Sequence, residues 1–433
     1  MTPVAIGILG VVALMALLVC SLPVAVSMAV VGAVGFAAAV SGKAAMSVLS
    51  ADLYDVFANY NLTVIPLFVF MGQVAFHSGI SGRLFAAANS WMAGLRGGLA
   101  MATVGACAAF SAICGSGPAT AATMAAVALP EMRRYKYDDA LASGTVAAGG
   151  GLGMLIPPSV VFIVYGILTE QSIGKLFMSG VLPGLLVAAL FCAVISVQCW
   201  LNPKLAPPAV RVPWRERWRS LGGVVETLAL FVFVMGGMFI GWFTATEAAA
   251  MGAAGSVVIA LAGGNCSWKM LGQAVQETVR TSCMVMVIVA GATVFGHFLA
   301  VTGMPTQFAG WLAGLPMPAW AIIFLVILFY LGVGLFIDSL ALVLLTVPIF
   351  YPVVMKLGYD PIWFGVMIVL VTQMGVITPP VGINVYVVSG IDRSLSLQTV
   401  FRGATPFLFA LFAACGLLMA FPGLATWLPS IVR

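Results

Sequence analysis

The sequence predicts an all-α polytopic membrane protein made of two inverted repeats, each with a re-entrant hairpin and a broken helix. Three observations predict it. Of 433 residues, 62% are apolar and 7% charged, against roughly 25% charged in a soluble domain, too little charge to cover a water-facing surface. The apolar residues form long separate runs, unlike the ten-residue alternating segments of an outer-membrane barrel. The chain also repeats itself: a shift of 222 positions carries Pro130 onto Pro352, Tyr137 onto Tyr359, Asp138 onto Asp360, Gly153 onto Gly375, Pro157 onto Pro379, Pro158 onto Pro380 and Ser172 onto Ser394. These residue types set backbone geometry, so they report shared structure where overall identity is low.

In chain order, apolar runs cover Thr2–Cys20, Val24–Val40, Leu62–Phe76, Leu99–Leu129, Ala140–Tyr165 and Leu176–Leu201. About 20 such residues cross a bilayer as a helix. No basic residue precedes Lys43, so the start lacks the charged region of a secretory signal and reads as a retained first helix beginning outside. Residues 1–201 make the first repeat. Residues 202–222 are a proline-rich connector whose Lys204, Arg211, Arg215, Arg217 and Arg219 outweigh Glu216, placing it in the cytoplasm as a solvated loop. Residues 223–433 make the second repeat, with runs Val224–Phe243, Ala248–Gly263, Met284–Val301, Ala319–Val354, Pro361–Ile377 and Thr405–Trp427. If each half makes an odd number of crossings, the second copy is inverted and both termini lie outside. The mixed stretches Gly42–Asn61, Ser81–Gly97 and Trp268–Arg280 read as helices lying at the interface.

Two runs are too long for one crossing. Residues 99–129 are interrupted by Cys114-Gly-Ser-Gly-Pro118, a turn signal. The arms on either side are only about 22 Å and about 16 Å long at 1.5 Å per residue, short of a hydrocarbon core of roughly 30 Å. A re-entrant hairpin follows. Residues 319–355 repeat the pattern around Gly332-Val-Gly-Leu-Phe-Ile-Asp338-Ser339, with Asp338 in the place of Ser116.

Behind each hairpin a helix breaks, at about 140–166 through Gly149-Gly-Gly-Leu-Gly153 and Pro157-Pro158, and at about 361–390 through Gly375 and Pro379-Pro380. A proline pair removes two amide donors and disfavours the helix before it. The freed carbonyls need a partner inside a bilayer. Neutral oxygens of this kind suit a hard alkali cation. The first set of candidate sodium ligands is Ser111, Ser116, Gly117, Gly151, Gly153 and Ser159. The second is Gly334, Asp338, Ser339, Gly375 and Thr378. About two or more sodium ions are expected as transported cargo, with no organic cofactor. Helix N-termini at the tips favour a carboxylate substrate, with Ser116, Asp338 and Asn384 as candidate contacts. Asp338 has a second reading, as the cap of the second arm. Glu247 and Glu170 read as caps or interface residues at helix starts, and His77 and His297 as hydrogen-bonding or packing residues. The eight cysteines have no CxxC spacing and read as small core residues. A net charge of +5 is too dilute for nucleic-acid binding.

These residues resemble the large membrane subunit of a tripartite ATP-independent periplasmic (TRAP) transporter. The resemblance is carried by Ile65-Pro-Leu-Phe-Val-Phe-Met-Gly72, Gly115-Ser-Gly-Pro-Ala-Thr-Ala-Ala-Thr123, Pro130-Glu-Met132, Leu155-Ile-Pro-Pro-Ser159, Tyr165-Gly166 and Thr169-Glu170, and in the second half by Thr246-Glu-Ala-Ala-Ala250, Asp360-Pro-Ile-Trp-Phe-Gly365 and Ile377-Thr-Pro-Pro-Val-Gly382. It implies a sodium-driven importer of small organic acids with an elevator mechanism, a transport domain of hairpins and broken helices moving against a scaffold. It also implies a small four-helix membrane subunit and a periplasmic substrate-binding protein as partners. Gly117 departs from the usual Gly-Ser-Ser-Pro hairpin pattern, so one hydroxyl is missing there. Other classes fit less well. An intramembrane enzyme would need clustered nucleophile and base or an Asp-rich metal motif. A passive channel could use the same hairpins, and an ATP-powered pump would need a phosphate-binding loop that this chain lacks.

Overall fold

The computed structural model describes residues 2–20, 22–208 and 212–431, and those residues are all-helical. The first half opens with α1 (Pro3–Val19), α2 (Val24–Ala39) and α3 (Gly42–Ala58), followed after a 3-10 turn at Tyr60–Thr63 by α4 (Val64–His77) and α5 (Ile80–Met92). Next come the hairpin arms α6 (Gly98–Cys114) and α7 (Gly117–Arg134), then a helix in three pieces, α8 (Asp139–Gly150), α9 (Leu152–Leu155) and α10 (Val160–Thr169), and α11 (Ile173–Leu201). The second half holds α12 (Trp214–Ile240), α13 (Ala245–Ala262), α14 (Trp268–Thr302) and α15 (Met304–Ala313). Its hairpin is α16 (Ala319–Gly334) and α17 (Ser339–Lys356), its broken helix α18 (Pro361–Gly375) and α19 (Ile383–Ile391), and α20 (Leu397–Ala420) and α21 (Gly423–Ile431) finish it. Among the described residues, eight helical segments are long and apolar enough to cross a membrane.

The 222-residue shift carries α7 onto α17 from first residue to last and pairs α1 with α12, α2 with α13, α5 with α15 and α8 with α18. Paired residues do paired work. Asp138 Oδ1 accepts the N–H groups of Ala140 and Leu141 at 3.0 and 3.1 Å, and Asp360 Oδ1 accepts those of Ile362 and Trp363 at 2.7 and 3.1 Å. Each satisfies orphan donors at a helix start. The serine pair diverges: Ser172 caps α11, but Ser394 binds Arg133 and Asp392, and Ser396 caps α20 instead.

Several expected boundaries move. Trp268–Arg280 is not a separate interfacial helix; it continues into α14, a single 35-residue rod. At the matching place in the first half the Asn59 side chain accepts the N–H of Asn61 at 2.9 Å and ends α3, whereas Thr281-Ser282-Cys283 stays helical. The connector is shorter than residues 202–222, because Pro213 starts α12 at Trp214, within it; Arg211 lies outside the described residues. The run Thr405–Trp427 divides at Phe421-Pro422 into α20 and α21.

Two packing groups result. In one, α2 and α4 lie against α14, and α13 against α4 and α12. In the other, α8 lies against α6, α7 and α20, and α16 against α18. The second arm of each hairpin also packs on the last piece of the other half's broken helix, α7 on α19 and α17 on α10. The short helices α5 and α15 touch both groups, α5 through α12 and α6, α15 through α1 and α17. Trp363 is buried, while Trp200, Trp214, Trp218 and Trp268 near one set of helix ends and Trp242, Trp311, Trp320 and Trp427 near the other are exposed, the placement of indoles at membrane interfaces.

Candidate functional site

The first hairpin turns on two residues. Gly115 is left-handed (φ 66°), a conformation that favours glycine, and Ser116 starts α7 without a side-chain cap bond. The turn seats directly on the broken helix: Gly115 O accepts the N–H of Val160 at 3.3 Å. Gly153 allows the approach, since a Cβ there would stand 2.6 Å from Ser116 O and 2.7 Å from Thr120 Oγ1. The turn of the second hairpin is longer, Leu335–Asp338. Gly334 at its rim packs so closely on Gly375 that a Cβ on Gly375 would overlap the Gly334 carbonyl.

Both turns face one cavity of about 750 Å³. Its wall on one side is Ser116, Gly117 and Met154 with Asp338, Ser339 and Leu340. On the other it is the start of α2, Gln73 of α4, and Thr281, Cys283 and Met284 of α14. Among the described residues, no lysine, arginine or histidine lines it. Polarity is supplied by Ser116, Asp338, Ser339, Gln73 and Thr281 and by helix starts. The two starts differ: α7 has no side-chain cap, while Asp338 Oδ2 accepts the Leu340 N–H at 3.1 Å. Asp338 therefore caps α17, one of its two expected roles, and it also lines the cavity. Ser339 Oγ is buried and has no hydrogen-bond partner.

The expected ligands do not all gather. Ser116, Gly117, Gly153 and the backbone of Ser159 meet at the first turn, and Gly334, Gly375, Asp338 and Ser339 at the second. Ser111 lies one turn back, its hydroxyl donating to Cys107 O at 2.6 Å. Ser159 and Thr378 donate to Met154 O and Met374 O, at 2.5 and 2.6 Å, inside the unwound segments. Gly151 stands against Gln373 of the other half, where a Cβ would fall 2.7 Å from Nε2. Asn384 does not line the cavity; its Nδ2 donates to Ala147 O at 3.0 Å, tying α19 to α8. The peptide bonds Pro157-Pro158 and Pro379-Pro380 are both cis.

Two residues of this region are not singled out by the sequence. Thr120 is fully buried with an unpaired hydroxyl beside Gly153. Gln373 is fully buried with both amide atoms unpaired. Its signal was present: Gln373 is the repeat mate of Gly151, and an amide in the apolar run of α18 needs a partner. Outside the cavity, Glu247 forms a capping box with Thr244, its carboxylate accepting the Thr244 N–H at 2.8 Å and hydroxyl at 2.9 Å. Glu170 ends α10 in the left-handed region and does not start a helix. His297 Nδ1 lies 2.8 Å from Asp52, and His77 Nε2 3.3 Å from Glu277.

Known proteins share this sequence and this arrangement. The C4-dicarboxylate TRAP transporter large permease protein DctM of Pseudomonas aeruginosa is 36% identical over 383 residues, covering 88% of this chain and 89% of its own. The sialic acid TRAP transporter large permease protein SiaM of Vibrio cholerae is 35% identical over 378 residues, covering 86% and 87%. Among solved structures, the YdaH transporter of Alcanivorax borkumensis superposes with a TM-score of 0.56 at 15% identity, covering 89% of this chain and 90% of that one, a likeness of fold. The family model described as "Tripartite ATP-independent periplasmic transporter, DctM component" matches residues 11–424. With hairpins, paired breaks and the shared cavity in place, the chain belongs to the DctM component, the large permease, of the tripartite ATP-independent periplasmic transporters.

Proposed function

We propose that this chain is the sodium-driven permease of an importer for a small organic acid and that it works as an elevator. The observation that carries the reading is the single cavity onto which both hairpin turns open, each turn backed by an unwound, glycine-lined segment of its own half. Unpaired helix-end groups in a membrane need ligands, and such half-helices serve that purpose in secondary transporters. Sodium sits between Ser116, Gly117, Gly153 and Ser159 in one half and between Gly334, Asp338, Ser339, Gly375 and Thr378 in the other. The substrate carboxylate takes the uncapped start of α7. Relatives named for C4-dicarboxylate and sialic acid support an acidic substrate.

The group containing the hairpins is the transport domain, and the group around α2, α4 and α14 the scaffold. Arg133, Arg134, Arg215, Arg217, Arg219 and Arg393 all lie at one set of helix ends, and this basic bias supports a cytoplasmic assignment for that side and a periplasmic one for the termini. The scaffold lining of the cavity comes from that half of the membrane, which supports an inward-facing reading of this conformation. A small membrane subunit and a periplasmic binding protein complete the three parts. The membrane potential limits the stoichiometry: one charge crossing 100 mV is worth about 2.3 kcal/mol, so a dianion requires more than two sodium ions before the potential assists it.

The test is uptake into proteoliposomes holding both membrane subunits, with the binding protein outside. An inward sodium gradient without ATP should drive accumulation, and Ser116→Ala and Asp338→Asn should each raise the half-saturating sodium concentration several-fold. Uptake that ignores sodium and follows ATP defeats the reading. Unchanged sodium dependence in both variants defeats the site assignment alone.

A further inference from the structure

The repeat pairs α1 with α12, yet α1 begins at Pro3, whose counterpart is Val225, and α12 begins at Trp214. The opening turns of α12, Trp214-Arg-Glu-Arg-Trp-Arg-Ser-Leu-Gly-Gly-Val224, lie apart from the cavity, hairpins and breaks, which give them no task. Trp214 and Trp218, one helical turn apart, hold Trp91 of α5 edge to face between them, at ring distances of 6.1 and 5.7 Å. The Arg217 guanidinium lies 5.2 Å from the Trp214 ring, with its Nε buried and unpaired. Its Nη2 reaches Gly94, where a Cβ would stand only 3.3 Å away. Arg215 and Arg219 are exposed one turn apart, and Arg96 is exposed two residues beyond Gly94. Among the described residues Arg96, Arg215, Arg217 and Arg219 make no ion pair, while the nearby Glu226 is taken by Arg83 at 3.4 Å.

We propose that this surface is a binding site for the phosphate headgroup of an anionic phospholipid. The guanidiniums hold the phosphate oxygens, and the indoles lodge at the level of the upper acyl chains. Planar guanidinium forks match phosphate geometry, and a charge stacked on an indole is already oriented for it. Partly exposed tryptophans mark the headgroup depth of a membrane, a place where a water-soluble polyanion would leave them uncovered. Unpaired arginines beside them are the complement of a fixed negative headgroup, each worth about fivefold in binding near an anionic leaflet. The leaflet is the inner one, on the orientation proposed above. The lipid anchors α12 and α5, the scaffold edge from which the first hairpin departs.

Native mass spectrometry of the purified full chain, exchanged into detergent with added phosphatidylglycerol, cardiolipin or phosphatidylcholine, tests this. The wild type should retain the anionic lipids in preference to phosphatidylcholine. The exposed double variant Arg215→Gln/Arg219→Gln should lose severalfold of that retention and the triple variant with Arg217→Gln at least tenfold, while Arg134→Gln, also basic and on the same side, retains it fully. Because the double variant changes only exposed side chains, a folding defect of the triple variant leaves the test intact. Equal retention by wild type and double variant, equal retention of phosphatidylcholine, displacement by millimolar inorganic phosphate, or a protein subunit found on the patch in place of lipid would each overturn the proposal.

Discussion

At the level of single residues, the sites depend on missing side chains as much as on present ones. Gly153 and Gly375 let a turn carbonyl approach the unwound segment. Gly153→Ala and Gly375→Ala should each cost about 1–3 kcal/mol through overpacking and abolish uptake, read by thermal unfolding in detergent and by transport in the same preparation. Retained uptake in both variants would separate the close approach from function. The candidate glycines were legible because turn and breaker residues announce themselves locally. Gly151 and Asn384 also meet the opposite half, at Gln373 and Ala147 O, and a partner 220 or more residues away leaves no mark in a local pattern. The Thr120 hydroxyl becomes significant only once burial leaves it unpaired, whereas the Gln373 amide already stands out in the apolar run of α18.

Among the elements, the base of the first hairpin is tied to the second half. Arg133 at the end of α7 reaches Asp392 at 2.6 Å and Ser394 at 2.8 Å. The Asp392 carboxyl is held below its usual range, first by the Ser394 hydroxyl and further by the Ser394 N–H and Arg133. A carboxyl lowered by folding stabilises the protein above its unfolded value, about 3.9, and loses that contribution as pH falls through the folded value. Asp392→Asn should therefore lower stability by up to about 1 kcal/mol at pH 7, and the difference from wild type should shrink progressively as pH is lowered from about 3.9, as a pH series of thermal melts will show. Elsewhere α8 and α20 touch backbone to backbone, because a Cβ on Gly144 would overlap the Gly403 carbonyl group and one on Gly403 the carbonyl of Ala140. Gly144→Ala should separate these helices and destabilise the fold more than an alanine at exposed Gly416, measured by the loss of monodisperse protein on heating. Helix ends were readable wherever a cap or a proline sat in the sequence, as at Asp138, Asp360 and Pro213. The continuity of α14 was not, since mixed polarity from Trp268 to Arg280 describes an interfacial helix and the first turns of a long crossing rod equally well.

For the whole molecule, orientation and state are the properties at issue. Single cysteines replacing Lys43 or Lys356 should react with a membrane-impermeant maleimide added to intact cells, and those replacing Arg215 or Arg393 only after the membrane is opened. Labelling of all four from outside would contradict the inverted arrangement. In a variant keeping Cys283 alone, which is exposed and lines the cavity, the inward-facing state predicts labelling from the cytoplasmic side. An inward sodium gradient with substrate should then change its rate.

Apolar content, the spacing of turn residues and the 222-residue recurrence determined that this chain folds as two related all-helical halves with interrupted helices, because each of those signals acts on neighbouring backbone. Which turn meets which break, that both hairpins open on one cavity, and that Gly151 and Asn384 reach across to the other half were decided only when the halves packed. Burial and close approach are properties of surfaces brought together from distant parts of the chain, and they exist only after that assembly.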